Sequence, residues 1–346
     1  MSLYNRQILI DRLPEGKLTP EHFRLTETSA PTPAKGEVLV RTRYVALDAA
    51  NRAWMLGQTY RAGLSAGEVM AGAALAEVVE SRHAGFAPGD LVYADTGWQT
   101  HAVLPGAQLR QAGTAEPLTH LLSVYGLAGL TAYFGLLECA WPKAGETVVV
   151  SAAAGAVGSI VGQIAKIKGC RTVGIAGGAE KCALLTSTLG FDAAVDYKAH
   201  AGNGMAMYQA LQAACGGGID VYFDNVGGPI LDTCLLSMNE RGRIAACGAV
   251  SMYDGGEMYG VRAMAGIVPK RVNIRGFIVS DFRDQYPAAL AELRGWVESG
   301  RLKVFEDVLD GLETLPGALI GLLAGENVGK RMVKVADDRP TERRCL

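Results

Sequence analysis

The chain of 346 residues is long for a single core, so two domains are expected. Its 49% hydrophobic and 20% charged residues describe a soluble globular protein, and a net charge of −2 argues against partners such as nucleic acid or an anionic membrane. Seven scattered cysteines, an odd number without a close pair, suit reduced thiols in a cytoplasm rather than a disulfide framework.

The N-terminal stretch offers only Ile8-Leu9-Ile10 as an apolar run, so no signal peptide is read there. Short apolar or alternating runs at 6–11, 37–45, 71–79 and 91–94, broken by Pro31, Pro33, Gly36, Pro88 and Gly89, predict a largely antiparallel barrel or sandwich. Between them, 48–70 reads as irregular and carries Arg52, Trp54, Tyr60 and Arg61. A long loop of aromatic and basic residues in a small β domain either contacts substrate or is a surface excursion with a tryptophan tucked inward, and spacing does not choose. Helical spacing over 118–138 predicts a crossover helix into the second domain.

From Thr147 the pattern becomes α/β. Val148-Val149-Val150 suits a strand buried on both faces, small residues fill 151–159, and Val157, Ile160, Val161, Ile164 and Ile167 predict a helix from near Ala156. A strand at 172–176 closes a βαβ unit, whose turn presents backbone N–H groups at a helix N-terminus where a pyrophosphate can sit. Ala153, Gly155 and Gly158 occupy the three glycine places of the dinucleotide fingerprint, so the first has become alanine. The uncharged run 147–165 is long enough to imitate a membrane span, but its glycines and strand-like valines fit the βαβ unit, and no membrane segment is read.

Helices at 179–189, 205–214 and 229–236 alternate with strands at 193–196, 221–225, 243–247 and 272–279, completing a parallel sheet of about six strands. A helix at 286–299, a strand at 305–309, a helix at 315–323 and a strand at 329–335 exceed what one doubly wound sheet needs. The C-terminus is therefore expected to return to the first domain.

In an NAD-preferring unit, an acid ending the second strand takes the ribose hydroxyls. Here that strand ends in Gly177-Gly178, followed by Glu180 and Lys181. Two glycines leave room for a 2′-phosphate and Lys181 brings charge, which favours NADP(H). The alternative makes Glu180 the hydroxyl ligand and Lys181 an ordinary first-turn residue.

The histidines at 22, 83, 101, 120 and 200 and the cysteines show no metal-ligand spacing, so no metal is expected. No Gly-x-Ser-x-Gly elbow or P-loop lysine occurs either. Hydride delivery to a carbon conjugated with a carbonyl needs no metal, because the charge lands on an oxygen to which a tyrosine or ribose hydroxyl can donate. Reduction of an activated C=C bond is the consistent chemistry.

The segments GLTAYFGLLE (129–138), PKAGETVVVSAAAGAVGSIVGQIAKIKGC (142–170), GGAEKC (177–182), VDYK (195–198), YFDNVGG (222–228), CGAVSMY (247–253), GFIV (276–279) and GENVGK (325–330) carry a resemblance. The chain resembles the zinc-independent medium-chain dehydrogenase/reductases, within them the group of prostaglandin reductases, leukotriene B4 dehydrogenase, plant alkenal double-bond reductases and bacterial curcumin reductase. This implies an α/β fold in which a Rossmann doubly wound parallel sheet is inserted in a GroES-like β-rich catalytic domain. The corresponding boundaries are 1–125 for the first part of the catalytic domain, 126–301 for the NADP(H)-binding domain, 302–338 for the return and 339–346 for a tail.

The resemblance also implies site residues. Ala154, Gly155, Ala156, Val157 and Gly158 would hold the pyrophosphate, and Lys181 and Tyr197, beside Gly177, the 2′-phosphate. Asn225 and the strand end Cys247, Gly248 and Ala249 would line the cofactor cleft, with Phe277, Ile278, Val279 and Asn327 around the nicotinamide. Tyr253 would stand near the nicotinamide ribose and the substrate oxygen as the first catalytic candidate, and Tyr60 would be a second tyrosine of the substrate pocket. Where relatives read like Asp-Pro-Tyr-Met-Arg-Gly, this chain has Asp48-Ala49-Ala50-Asn51-Arg52-Ala53 followed by Trp54, and 252–266 replaces a proline-rich loop. The pocket wall at Asn51, Arg52, Trp54 and Tyr60 is thus expected to differ while the nicotinamide half is kept.

The expected activity is NADPH-dependent reduction of the C=C bond of enones and enals, in a cytoplasmic homodimer paired through the edge strand 272–279. A quinone reductase of the same fold and a nonenzymatic NADPH-binding sensor are the competing readings.

Overall fold

The structure, a computed structural model, describes residues 3–255 and 258–335; the tail expected at 339–346 lies outside them. The chain forms two compact units. The first comprises the residues up to Leu122, Asp307–Glu326 and those from Arg331, and the second comprises Ser123–Glu306 with Asn327–Lys330.

In the first unit, β1 (Tyr4–Ile10) pairs antiparallel with β2 (Phe23–Ser29). The spine is β3 (Glu37–Ala46), whose apolar run VLVRTRYVA is buried along nearly its whole length. After it come a five-residue helix α1 (Ala50–Trp54) and strands β4 (Ala74–Ser81), β5 (Leu91–Ala94), β6 (His101–Pro105) and β7 (Arg110–Gln111). Antiparallel pairing joins β3 to β4 and β6, β4 to β5, and β5 to β7. The sequence pattern predicts none of β2, β6 and β7. The β2 residues FRLTETS are mostly exposed, so no apolar alternation marks them.

The second unit opens with α2 (Leu127–Leu137) and then alternates strictly. The elements are β8 (Thr147–Ser151), α3 (Gly158–Ile167), β9 (Arg171–Ala176), α4 (Ala179–Ser187), β10 (Ala193–Asp196), α5 (Gly204–Cys215), β11 (Ile219–Asp224), α6 (Gly228–Ser237), β12 (Met238–Ala246), α7 (Ile267–Lys270), β13 (Asn273–Gly276) and α8 (Tyr286–Glu298). The six-stranded sheet runs β10-β9-β8-β11-β12-β13, with every pairing parallel. Strand order reverses between β8 and β11, and in such sheets ligands bind outside the carboxyl ends at that reversal. Val149, Val173, Ile175, Tyr222 and Ile244 of the sheet pack with Leu211 of α5 and Leu235 of α6 to form the core.

Three expected elements change on folding. The helix expected over 118–138 is a 3-10 turn at Leu118–Leu121 followed, after a reversal, by α2. Gly129 permits that reversal, since a Cβ there would lie 1.8 Å from the Val124 carbonyl oxygen. The helix expected from near Ala156 begins at Gly158. The strand expected over 272–279 stops at Gly276, and Val279–Gln285 winds into a 3-10 helix.

The chain then returns through β14 (Glu306–Asp310), α9 (Leu315–Leu323) and β15 (Lys330–Lys334), with β15 pairing antiparallel to β3. Leu312, Leu315, Leu319 and Val333 share a core with Ile8, Ile10, Val45, Leu47 and Trp98, so both chain ends build the first unit.

Candidate functional site

The turn after β8 is organised by the Ala152 carbonyl. Ala152 takes a positive φ of 47°, and its oxygen accepts the Gly155 N–H at 2.9 Å. A Cβ at Gly158 would come within 2.4 Å of that oxygen, whereas one at Gly155 would meet it at 3.2 Å with no other atom within 4 Å. Gly158 is therefore required by the fold. Gly155 instead leaves the backbone open to a close ligand, which is the cradle a pyrophosphate needs. The alanine at the first fingerprint place is accommodated from the next strand: Ala153 is fully buried, and its Cβ lies 2.9 Å from where a Cβ at Gly174 would stand. Ala154 is buried, and its carbonyl accepts the Gly329 N–H at 2.8 Å. Ala156 and Val157 complete the turn into α3, where the Ser159 N–H donates to the Gly155 carbonyl at 3.0 Å and the Ile160 and Val161 N–H groups donate to the Val157 carbonyl at 3.1 and 3.0 Å.

The end of β9 is a notch. A Cβ at Gly177 would lie 2.9 Å from Tyr197 Cε1 and 2.8 Å from Lys198 Cε. Gly178, at φ 96°, donates its N–H to Asp196 Oδ1 at 2.8 Å. Lys181, two residues into α4, sends its ammonium to the Asn327 carbonyl at 2.7 Å. Gly177 and Tyr197 thus meet directly, Lys181 meets Asn327, and Lys198, which the sequence reading does not single out, joins the notch. The signal for it is its place in VDYK, but its position over Gly177 is a tertiary fact.

At the strand reversal, Asn225 donates its backbone N–H to Ser151 Oγ at 2.9 Å and its side-chain amide to the Ser151 carbonyl at 2.7 Å. It ties the end of β11 to the end of β8. The neighbouring Asp224 is buried, and its Oδ1 accepts from Tyr222 Oη at 2.8 Å, Val226 N at 3.0 Å and Gly227 N at 2.9 Å. Burial pushes the Tyr222 phenol well above its usual pKa, so it stays a donor. Asp224 thus fixes the turn after β11, and nothing in YFDNVGG marks it for that in advance.

The Asp224 carbonyl accepts the N–H groups of Cys247 at 2.9 Å and Gly248 at 3.1 Å. Tyr253 then folds back over this strand end, and its hydroxyl oxygen accepts the Ala249 N–H at 3.1 Å. That leaves the phenol proton available for donation to a ligand. The following segment is pinned by Asp232 of α6, which accepts from Tyr259 Oη at 2.7 Å, Arg262 N at 2.9 Å and Ala263 N at 3.0 Å.

Phe277 packs against Phe223 with ring centroids 6.3 Å apart, and a Cβ at Gly135 would lie 2.3 Å from its ring. Ile278 is 39% exposed, Val279 starts the 3-10 helix, and the Asn327 amide donates to the Gly329 carbonyl at 2.8 Å.

In the first unit, the four pocket candidates divide. Asn51 and Arg52 are each 1% exposed. Asn51 accepts the Asp48 N–H and donates to the Ala71 carbonyl, and Arg52 donates to the Gly16 carbonyl. A short helix turns both inward, where they hold the surrounding backbone. Trp54 is also largely buried, but it donates Nε1–H to Tyr60 Oη at 3.2 Å, stands edge-on to that ring and carries the Arg61 guanidinium 4.4 Å from its own. Tyr60 is 62% exposed.

Residues 6–112 match a family model described as the N-terminal domain of oxidoreductase, and residues 156–295 one described as zinc-binding dehydrogenase. An NADPH-dependent curcumin reductase of Escherichia coli is 41% identical over 342 residues, 96% of this chain and 98% of its own length. An NADP(+)-dependent 2-alkenal reductase of Nicotiana tabacum is 39% identical over 304 residues, 87% of this chain and 88% of its own. The crystal structure of CurA from Vibrio vulnificus in complex with NADPH superposes with a TM-score of 0.90 at 40% identity, covering 96% of this chain and 99% of that one. The chain belongs to the medium-chain dehydrogenase/reductases.

Among family members it resembles the zinc-independent reductases. Its architecture is the family's Rossmann sheet with a GroES-like, mostly antiparallel domain. Among the described residues, no group of three or more His, Cys, Asp or Glu side chains could hold a metal ion, so the zinc of the second family description finds no ligand set there.

Proposed function

We propose that this protein is an NADPH-dependent reductase of the C=C bond of α,β-unsaturated ketones and aldehydes. The observation that carries this reading is its identity, over nearly the whole chain, with an NADPH-dependent curcumin reductase and over most of it with a 2-alkenal reductase. The geometry supports it from the residue side. The Gly155 cradle would hold the pyrophosphate, and Gly177, Lys181 and Tyr197 the adenosine ribose with its 2′-phosphate. Asn225, the 247–249 strand end, Phe277, Ile278, Val279 and Asn327 would flank the nicotinamide.

When bound, the reduced nicotinamide supplies a hydride to the β-carbon of the acceptor. The π electrons of the C=C bond shift toward the carbonyl oxygen, and the chain's task is to meet that charge. We assign to Tyr253, steadied by the Ala249 N–H, donation of its hydroxyl proton as a hydrogen bond to that oxygen. A proton from Tyr253 or from water completes the α-carbon. On the substrate side, Trp54 and Tyr60 are the side chains of the 49–61 stretch we assign to recognition, with Tyr60 62% exposed and its hydroxyl held by the Trp54 Nε1–H.

The test is oxidation of NADPH and NADH by the purified protein with enones, enals and quinones. Turnover of enones with preference for NADPH is expected. Turnover of quinones alone would make it a quinone reductase, and tight NADPH binding without turnover would make it a sensor.

We also assign it as a cytoplasmic homodimer. All four residues of β13 are exposed, and among the described strands this edge pairs with β12 alone, so its free side is a template for a second copy. A monomeric mass by light scattering would end that assignment. The six described cysteines are all free, which suits a reducing compartment, and no helix among the described residues is long and apolar enough to cross a membrane.

A further inference from the structure

The notch at the end of β9 holds more than Lys181 and Tyr197. A Cβ on Gly177 would lie 2.8 Å from Lys198 Cε and 3.2 Å from its Cδ, so the lysine chain crosses the face of the glycine beside the tyrosine ring. The backbone fixes this arrangement. Asp196 Oδ1 accepts both the Gly178 N–H at 2.8 Å and the Lys198 N–H at 2.9 Å, locking the ends of β9 and β10 together.

That lock has an electrostatic consequence. A 2′-phosphate carries between one and two negative charges, and the notch already contains the Asp196 carboxylate. The Gly178 N–H, foremost, lowers the pKa of Asp196, so it is charged at neutral pH. Lys181 balances one carboxylate, and its ammonium already donates to the Asn327 carbonyl. Asp196 and Lys181 together leave no net charge for a phosphate. Lys198 supplies it: the residue is exposed, and among the described residues its ammonium has no partner.

We propose that Lys198 is a second phosphate-binding cation which, with Lys181 and Tyr197, sets the preference for NADP(H) over NAD(H). The proposal rests on the NADP(H) reading given above and adds a residue to it.

Calorimetric titration of the full chain with adenosine 2′,5′-bisphosphate and with 5′-AMP tests both. Lys198→Met keeps the methylene packing over Gly177 and removes the charge. It is expected to weaken the bisphosphate about tenfold and to change 5′-AMP binding by less than about twofold. Lys198→Arg should restore most of the bisphosphate affinity, and the salt dependence of that affinity should be shallower in the Met variant than in the wild type. If Lys198→Met keeps the wild-type preference for the bisphosphate, the lysine has no such role while the NADP(H) reading stands. If the wild-type chain itself prefers neither ligand, the NADP(H) reading fails and this proposal with it.

Discussion

The carboxyl end of the parallel sheet and the 49–61 stretch of the first unit follow opposite rules. At the turns of the sheet, two candidate residues are glycine because neighbouring atoms leave no room for a Cβ: the Ala152 oxygen at Gly158, and Tyr197 and Lys198 at Gly177. In the 49–61 stretch, the side chains proposed for recognition are large, and the local backbone decides their direction. There a five-residue helix sends Asn51 and Arg52 inward, while Tyr60, beyond its end, is largely exposed. A cofactor shared by many enzymes can be gripped by main chain, whereas a substrate must be read by side chains.

The sharpest way to break this contrast is Gly158→Ala. A methyl group 2.4 Å from a backbone oxygen cannot be relieved by a rotamer change, so about 2–3 kcal/mol of stability and most NADPH affinity should be lost. Denaturant unfolding and fluorescence titration measure both; an unchanged midpoint would contradict the packing account. Next comes Tyr253→Phe, expected to slow single-turnover hydride transfer about tenfold to a hundredfold while NADPH still binds. A full wild-type rate would remove Tyr253 from catalysis.

Gly155→Ala sharpens the comparison with Gly158. Its methyl group meets only one atom, at 3.2 Å, so stability should change by less than about 1 kcal/mol, yet NADPH should bind about tenfold more weakly. Loss of stability with unaltered binding would reverse the roles given to the two glycines. Tyr60→Phe should alter KM for an enone by only about twofold to fivefold, because a single hydrogen bond on a largely exposed residue contributes little. A change in kcat without one in KM would move Tyr60 from recognition to chemistry.

Acid should separate the units by a smaller margin. Burial, followed by the nearby Arg41 charge, lowers the pKa of His101 in the first unit from its usual 6.5. The unfolded chain then binds more protons than the folded one between those two values, so stability falls as pH drops through 6.5. In the second unit, Asp196 has a lowered carboxylate pKa, and its contribution is lost only as pH falls below its usual 3.8. A thermal-melting series from about pH 7.5 to about pH 5.5 should show a decline that His101→Gln removes. An identical decline in the variant would point to other groups.

Much of the fold is legible in the sequence because the second unit repeats one pattern. Runs such as Val148-Val149-Val150 are buried on both faces, and the helices between them have clear apolar spacing. The helix expected at 118–138 breaks for a local reason, a turn between Leu121 and Leu127 in which the Val124 carbonyl comes close to Gly129. The exposed strand β2 fails for lack of any apolar alternation. At the candidate site, Gly155 and Gly158 can be picked out because glycine itself is the signal. Lys198 and Asp224 cannot, since a lysine in VDYK or an aspartate in YFDNVGG acquires its meaning only when β9 meets β10 and β11 meets β8.

The most direct test of the central claim follows the hydride itself. Reduction of an enone with deuterium-labelled NADPH, followed by NMR of the product, should place the label on the β-carbon of a saturated ketone. Label on the former carbonyl carbon of an allylic alcohol would contradict the assignment of C=C reduction.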